Sequence, residues 1–241
     1  MNFLECVIFF KSYFNIWIVI AQLYLLFVFG TKFPVNKSWQ LKLITSVWNM
    51  ALSIFSGFGL YYLSVFTYKC IVEEGPLSIF SQDKLDFRKD DIVWMWTFYF
   101  IVSKIPELID TVLIKVSGKE PVFLQWFHHV VTMLYAYYLG VTYEASHLGL
   151  LFAVMNYGVH TVMYFYFAIQ PYLDRSNIIV KYSFVITILQ TLQMFIALFG
   201  YFYCHFVLDK PFDWFGFTMY SIYAILFAQL LFTKVGKSKS D

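Results

Sequence analysis

The chain has 241 residues, of which 60% are hydrophobic and 23% aromatic. Only 13% are charged, about half the ~25% usual in a soluble domain. A water-soluble fold of this size has no interior large enough for so much apolar surface. The same numbers exclude disorder, coiled coil, collagen and nucleic-acid binding, and the net charge of +2 points to no partner. What remains is an all-α, polytopic membrane protein, read as one integral membrane domain over residues 1–241.

Glu5 and Lys11 interrupt the first apolar run and no small-x-small site follows it, so it reads as a retained span, not a cleaved leader. A helix needs about 20 mostly apolar residues to cross a bilayer. Seven segments meet this requirement: 14–30, 44–67, 92–114, 122–140, 147–169, 180–203 and 213–233. Turn and charge signals separate them, among them Lys32-Phe-Pro34, Lys115–Pro121, Gln170–Arg175 and Asp209-Lys-Pro211. The polar stretch Lys69–Asp91 reads as the one long loop.

Lys and Arg are unequally shared between the two sides, ten against six, with the ten on the side of the C-terminus. This bias puts the C-terminus in the cytosol. The tail Lys237-Ser-Lys239-Ser-Asp241 fits the KxKxx pattern of endoplasmic-reticulum retrieval. Cys70 and Cys204 then share the lumenal side, where oxidising conditions permit a bridge. Three cysteines without CxxC or a His/Cys cluster suggest neither a disulfide framework nor zinc.

Ionisable groups are expensive inside a bilayer, so each needs a reason. In span 3, Lys104, Glu107, Asp110 and Thr111 fall within an arc of ~120°, and Pro106 among them frees the carbonyl of Val102 and predicts a kink. In span 4, Gln125, His128, His129 and Thr132 share an arc of ~100°. Span 5 places Asn156 and His160 at i and i+4, where the amide can fix the imidazole tautomer. Span 6 carries Thr187, Gln190 and Gln193 on one face. On this topology His128 and Glu107 lie about 10 Å inside the cytosolic boundary, and His160 and Gln190 at roughly 13–15 Å. Four polar faces at one level predict a buried polar chamber opening to the cytosol.

Three chemistries suit such a chamber. A di-iron centre built from histidine boxes needs more than the five histidines present, two of which, His147 and His205, fall near the opposite ends of their spans. A proton-coupled carrier suits aligned intramembrane ionisable groups, although no internal repeat supports it. Imidazole catalysis on a thioester suits a chamber lined by imidazoles and amides beside an apolar channel.

The motifs resemble those of one family. Lys104-Ile-Pro-Glu107-Leu-Ile-Asp110-Thr111 is similar to the KxxELxDT motif of the ELO family of fatty-acid elongases. Gln125-Trp-Phe-His128-His129 resembles its HxxHH box, with Gln for the first His. Asn156-Tyr-Gly-Val-His160-Thr-Val-Met163-Tyr164-Phe-Tyr166 resembles its HxxMYxYY box, with Phe167 for the last Tyr. Thr187-Ile-Leu-Gln190-Thr-Leu-Gln193 matches TxxQxxQ. The likeness covers residues 40–235, with the four motifs in family order.

The resemblance implies condensation of a long-chain acyl-CoA with malonyl-CoA in the endoplasmic-reticulum membrane, giving 3-ketoacyl-CoA, CO₂ and CoA. It implies seven transmembrane helices, six enclosing a substrate tunnel, no cofactor beyond the two CoA substrates, and a dimer. Reductases and a dehydratase completing the cycle are implied as partners, since no nucleotide fingerprint occurs here. The position of His128 is implied as the acyl-accepting imidazole and that of His160 as flanking the same centre. His129 and His160 are candidate proton-handling groups, and Lys104, Glu107, Asp110, Thr111, Gln125, Asn156, Tyr164, Gln190 and Gln193 are candidates at the substrate. Asn-Tyr ahead of His160 resembles members acting on saturated and monounsaturated chains. Lys115, Lys119, Arg175, Lys181 and Lys234 are candidates to meet CoA phosphates.

Overall fold

A computed structural model describes residues 3–80, 89–141, 147–173 and 183–238, and every regular element among them is helical. The α-helices are α1 (Phe3–Ser12), α2 (Phe14–Gly30), α3 (Trp39–Glu74), α4 (Asp91–Ser103), α5 (Ile109–Val116), α6 (Phe123–Val141), α7 (His147–Ile169), α8 (Ser183–Phe206) and α9 (Trp214–Ser238). Arg175, Lys181, Lys239 and the acidic stretch 81–88 lie outside the described residues.

Five spans are long and apolar enough to cross a membrane: α3, the α4–α5 run Asp91–Val116, Leu148–Tyr172, α8 and Trp214–Lys234. A sixth forms if α1 and α2, bent by 53° at their junction, act as one. The expected count of seven is therefore not reached on length and composition. The shortfall is α6, a 19-residue helix at the expected place. Gln125, His128, His129 and Thr132 are the polar residues within it.

Two boundaries also differ. The reading that 69–91 is a single long loop is corrected at its start: α3 runs to Glu74, because nothing from Lys69 to Glu74 breaks a helix and Gly75 supplies the stop at φ 92°. At 36 residues α3 is about 54 Å long, well beyond a bilayer core of about 30 Å. Residues ahead of 14, left unassigned by the sequence, form α1. Its Cys6, Val7 and Phe10 are almost wholly buried.

The α-helix is interrupted at Pro106. Pro106 cannot donate to Val102, and Val102 instead accepts from the Ile105 amide at 3.1 Å in a tighter turn. A short 3₁₀ turn at Pro106–Leu108 then leads into α5. The helix starts carry side-chain caps: Asp90 accepts from the Ile92 and Val93 amides at the start of α4, and Ser38 from Leu41 at the start of α3.

The chain divides into two compact units, Met1–Lys42 with Tyr62–Ala153, and Leu43–Tyr61 with Val154–Asp241. In the first, α6 packs on α1, α2 and α4. The stripe Trp17, Ala21, Tyr24 and Val28 of α2 meets Val130, Met133 and Tyr137 of α6 in one apolar core. The Tyr137 hydroxyl donates to the Phe10 carbonyl at 2.8 Å, holding α1 on the far end of α6. In the second unit α8 packs along α9, and the middle of α3 lies on α7 through small residues. There the Ser53 hydroxyl donates to the Thr161 carbonyl at 2.8 Å. Cys6, Cys70 and Cys204 are all buried free thiols, so the bridge expected as permissible between Cys70 and Cys204 is not formed.

Gly118 ends α5 with φ 77°, and a Cβ there would come within 2.4 Å of Val35 Cα. Gly75 also has positive φ but open space around its missing Cβ. Alanine at either position carries the backbone cost of a positive φ, about 1–3 kcal/mol. Gly118→Ala is expected to lower the thermal midpoint of the detergent-solubilised protein clearly more than Gly75→Ala, because the backbone of the 31–38 segment must also move. Equal shifts for the two variants would contradict this packing.

Candidate active site

The first unit gathers the span 3 and span 4 motifs. Lys104 and Glu107, each under 5% exposed, form an ion pair at 2.7 Å. The Ser103 hydroxyl lies between the Phe100 carbonyl at 2.8 Å and the same Glu107 oxygen at 3.1 Å, sharing its one proton, and the Lys104 ammonium sits 4.3 Å from the centre of the Phe100 ring. Two charges are thus neutralised locally, as burial demands. Sequence reasoning did not single out Ser103, although its i, i+4 spacing to Glu107 was a readable signal.

One turn further, Asp110 Oδ2 lies 3.8 Å from His129 Nε2, bringing α5 and α6 together at ionisable groups. The His128 and His129 rings stand edge to face with centroids 5.7 Å apart. Gln125, His128, His129 and Thr132 are all half-buried. Their face lies about 110° around α6 from the stripe Val130, Met133, Tyr137, Gly140 that packs into the core. The helix therefore separates a structural face from a chemical one. Thr111 is fully buried, and its hydroxyl is 2.8 Å from the hydroxyl of Tyr24. Tyr24 carries no readable signal in sequence, being one of 19 tyrosines in apolar runs.

In the second unit, Asn156 and His160 meet as their spacing predicts. Asn156 Nδ2 is 3.1 Å from His160 Nε2. With the amide nitrogen as donor this contact takes the neutral imidazole with Nε2 as acceptor. Tyr164 packs edge-on against His160 at 5.1 Å and is 2% exposed. Gln190 Nε2 donates to the Met163 sulfur at 3.2 Å, joining α7 to α8. Gln193 is buried on α8.

Two of the lysines proposed for CoA phosphates are engaged by the protein itself. Lys115 is 2% exposed, donating to the Val28 carbonyl at 2.7 Å and pairing with Glu120 at 3.1 Å. It ties the last turn of α2 to α5. Lys234 donates to the Ser183 carbonyl at 3.0 Å and to Thr187 Oγ1 at 2.8 Å, tying α9 to the first turn of α8. Lys119 is exposed. Among the described residues, no three His, Cys, Asp or Glu side chains gather closely enough to hold a metal ion.

Comparison with known proteins agrees with the motif pattern. Residues 9–240 match the model of the ELO family, described as the GNS1/SUR4 family. The chain is 34% identical over 170 residues to fatty acid elongase 2 of Trypanosoma cruzi (strain CL Brener), covering 70% of this chain and 59% of that protein. It is 32% identical over 177 residues to very long chain fatty acid elongase 6 of Homo sapiens, covering 72% and 64% respectively. Very long chain fatty acid elongase 4 of T. cruzi is 32% identical over 228 residues, covering 90% and 78%. The chain thus spans less than two thirds of the length of the first two relatives. No solved structure matches it. With a family match running over nearly its whole length, this multi-pass membrane protein belongs to the ELO (GNS1/SUR4) family.

Proposed function

We propose that the protein is a fatty-acid elongase condensing a long-chain acyl-CoA, saturated or monounsaturated, with malonyl-CoA. The observation that carries the reading is the chemical face of α6: two adjacent imidazoles, half-buried in a membrane helix, one of them beside the Asp110 carboxylate. An apolar surrounding suits a fatty acyl chain, and neutral imidazole is a competent nucleophile toward a thioester.

In the proposed first step a ring nitrogen of His128 attacks the thioester carbonyl. The C–S bond breaks, CoA leaves as the thiol with the proton from the imidazole, and an acyl-imidazole remains. In the second step malonyl-CoA loses CO₂, and the electron pair of the broken C–C bond forms an enolate. The enolate carbon attacks the acyl carbonyl, the C–N bond breaks, and the departing imidazole recovers a proton. The product is 3-ketoacyl-CoA, two carbons longer. His129 and His160 serve as proton-handling groups, each positioned by a neighbour, Asp110 and Asn156 respectively. Lys104, Asn156, Gln190 and Gln193 supply positive charge or N–H groups for developing anions. Glu107 and Asp110 orient these donors. Tyr164 packs the His160 ring. Gln125 acts as a hydrogen-bonding group, since an amide neither takes up a positive charge nor acts as a base near neutral pH.

The reading places the protein in the endoplasmic-reticulum membrane with its C-terminus in the cytosol. Its 3-ketoacyl product then passes to separate reducing and dehydrating enzymes.

Purified protein given acyl-CoA and malonyl-CoA labelled in its free carboxyl group is expected to release labelled CO₂. His128→Ala is expected to abolish the release while leaving the thermal midpoint unchanged within a few degrees; turnover retained by this variant removes His128 from the mechanism. Incubation with acyl-CoA alone is expected to increase the intact mass by one acyl group, with loss of the adduct in His128→Ala. A protein that turns over yet never gains this mass uses its imidazole as a base, with malonyl-CoA attacking the thioester directly.

A further inference from the structure

Asp110 and His129 stand at 3.8 Å, just outside direct hydrogen-bond range, on two different helices. A small slide of α5 along α6 would either close this contact or lose it. Something must therefore fix the register of the two helices at this level. The 3₁₀ turn at Pro106–Leu108, one turn before Asp110, is a poor candidate, because 3₁₀ geometry is strained and short.

The groups that meet beside this contact come from a third helix. The hydroxyl of Tyr24, on α2, is 2.8 Å from Thr111 Oγ1 and 3.5 Å from the Trp126 carbonyl oxygen. With the Tyr24 proton directed at the carbonyl, Thr111 donates to the phenol oxygen, and one hydroxyl spans α5 and α6. Thr111 is the neighbour of Asp110. Trp126 precedes His129 by three residues, just under one turn. Tyr24 is 5% exposed and Thr111 0%, so water cannot replace either partner.

We propose that Tyr24 is a positioning residue: its hydroxyl, held by Thr111 and the Trp126 carbonyl, sets the separation of Asp110 from His129. This assigns a role to the threonine of the first motif that is not contact with substrate. The role of this spacing in turnover rests on the elongase reading; the spacing itself does not.

The test uses the full-length protein in detergent, labelled with ¹⁵N at histidine, with the His129 resonances identified through His129→Gln. Tyr24→Phe keeps the ring and removes the hydroxyl. It is expected to move the ¹⁵N shifts of His129 in the same direction as Asp110→Asn does. Thr111→Val is expected to reproduce the change and Thr111→Ser to restore the wild-type shifts. Tyr137→Phe removes a comparable buried hydroxyl bond, that to Phe10, and is expected to leave His129 unmoved. Tyr24→Phe leaving the His129 shifts in place, or Tyr137→Phe moving them equally, overturns the proposal. In turnover, Tyr24→Phe is expected to lower kcat by about ten- to a hundredfold with KM for malonyl-CoA within about twofold. In an Asp110→Asn background the same substitution is expected to cost nothing further; a loss of equal size there also overturns it. A wild-type protein that releases no CO₂ but shows the His129 shifts refutes the elongase reading and leaves the tie standing.

Discussion

A charge placed in a bilayer must be neutralised by a neighbour that does not move away. Lys104 and Glu107 meet this demand on one turn of one chain segment, three residues apart. Their pairing at 2.7 Å is tightened by Ser103 on the carboxylate and by the Phe100 ring under the ammonium. Removing either partner would strand the other, at a cost of about 3–5 kcal/mol. The pair also lies where Pro106 interrupts the helix, so the electrostatic and the backbone irregularities coincide. One turn further along the chain, the second carboxylate, Asp110, stands 3.8 Å from the His129 imidazole of α6.

The second constraint is the division of α6 into two faces. A stripe of Val130, Met133, Tyr137 and Gly140 accepts α1 and α2, and Gly140 lets the Phe10 ring come within 2.8 Å of where a Cβ would stand. The opposite demands, close packing and polar chemistry, are met on one helix because its 3.6-residue period holds them apart.

How much of this was legible follows from which interactions are local. Every contact within four residues of sequence was readable: the Lys104–Glu107 pair, the Pro106 interruption and the Asn156–His160 bond each depend on helix periodicity alone. The four motifs and their order identified the family for the same reason. Boundaries failed where polarity was taken for a loop, as at Lys69–Glu74, because a helix continues into water as readily as it crosses a membrane. Contacts across 80 or more residues were not legible. Nothing in sequence distinguishes Tyr24 from the other tyrosines, and nothing shows that Lys115 reaches the Val28 carbonyl. Positive charge near a span boundary fits both a phosphate contact and an ordinary positive-inside residue, and sign alone does not separate them. The coordinates distinguish a lysine facing water from one spent on a helix end.

That distinction bears on how motif residues are interpreted. Thr111 and Thr187 stand in motifs beside groups with evident chemistry, and proximity in sequence invites a substrate role for both. Yet the Thr111 hydroxyl meets Tyr24, and the Thr187 hydroxyl accepts from Lys234 while donating to the Ser183 carbonyl. A hydroxyl has one proton to give, and in each case a protein group already sits within 3.2 Å of it. At these positions the threonine hydroxyls meet groups of other helices, Tyr24 of α2 and Lys234 of α9. A motif can therefore combine two kinds of residue, those placed to react and those that hold separate helices together, and the second matter to the first because a 1 Å misplacement costs about a hundredfold in rate.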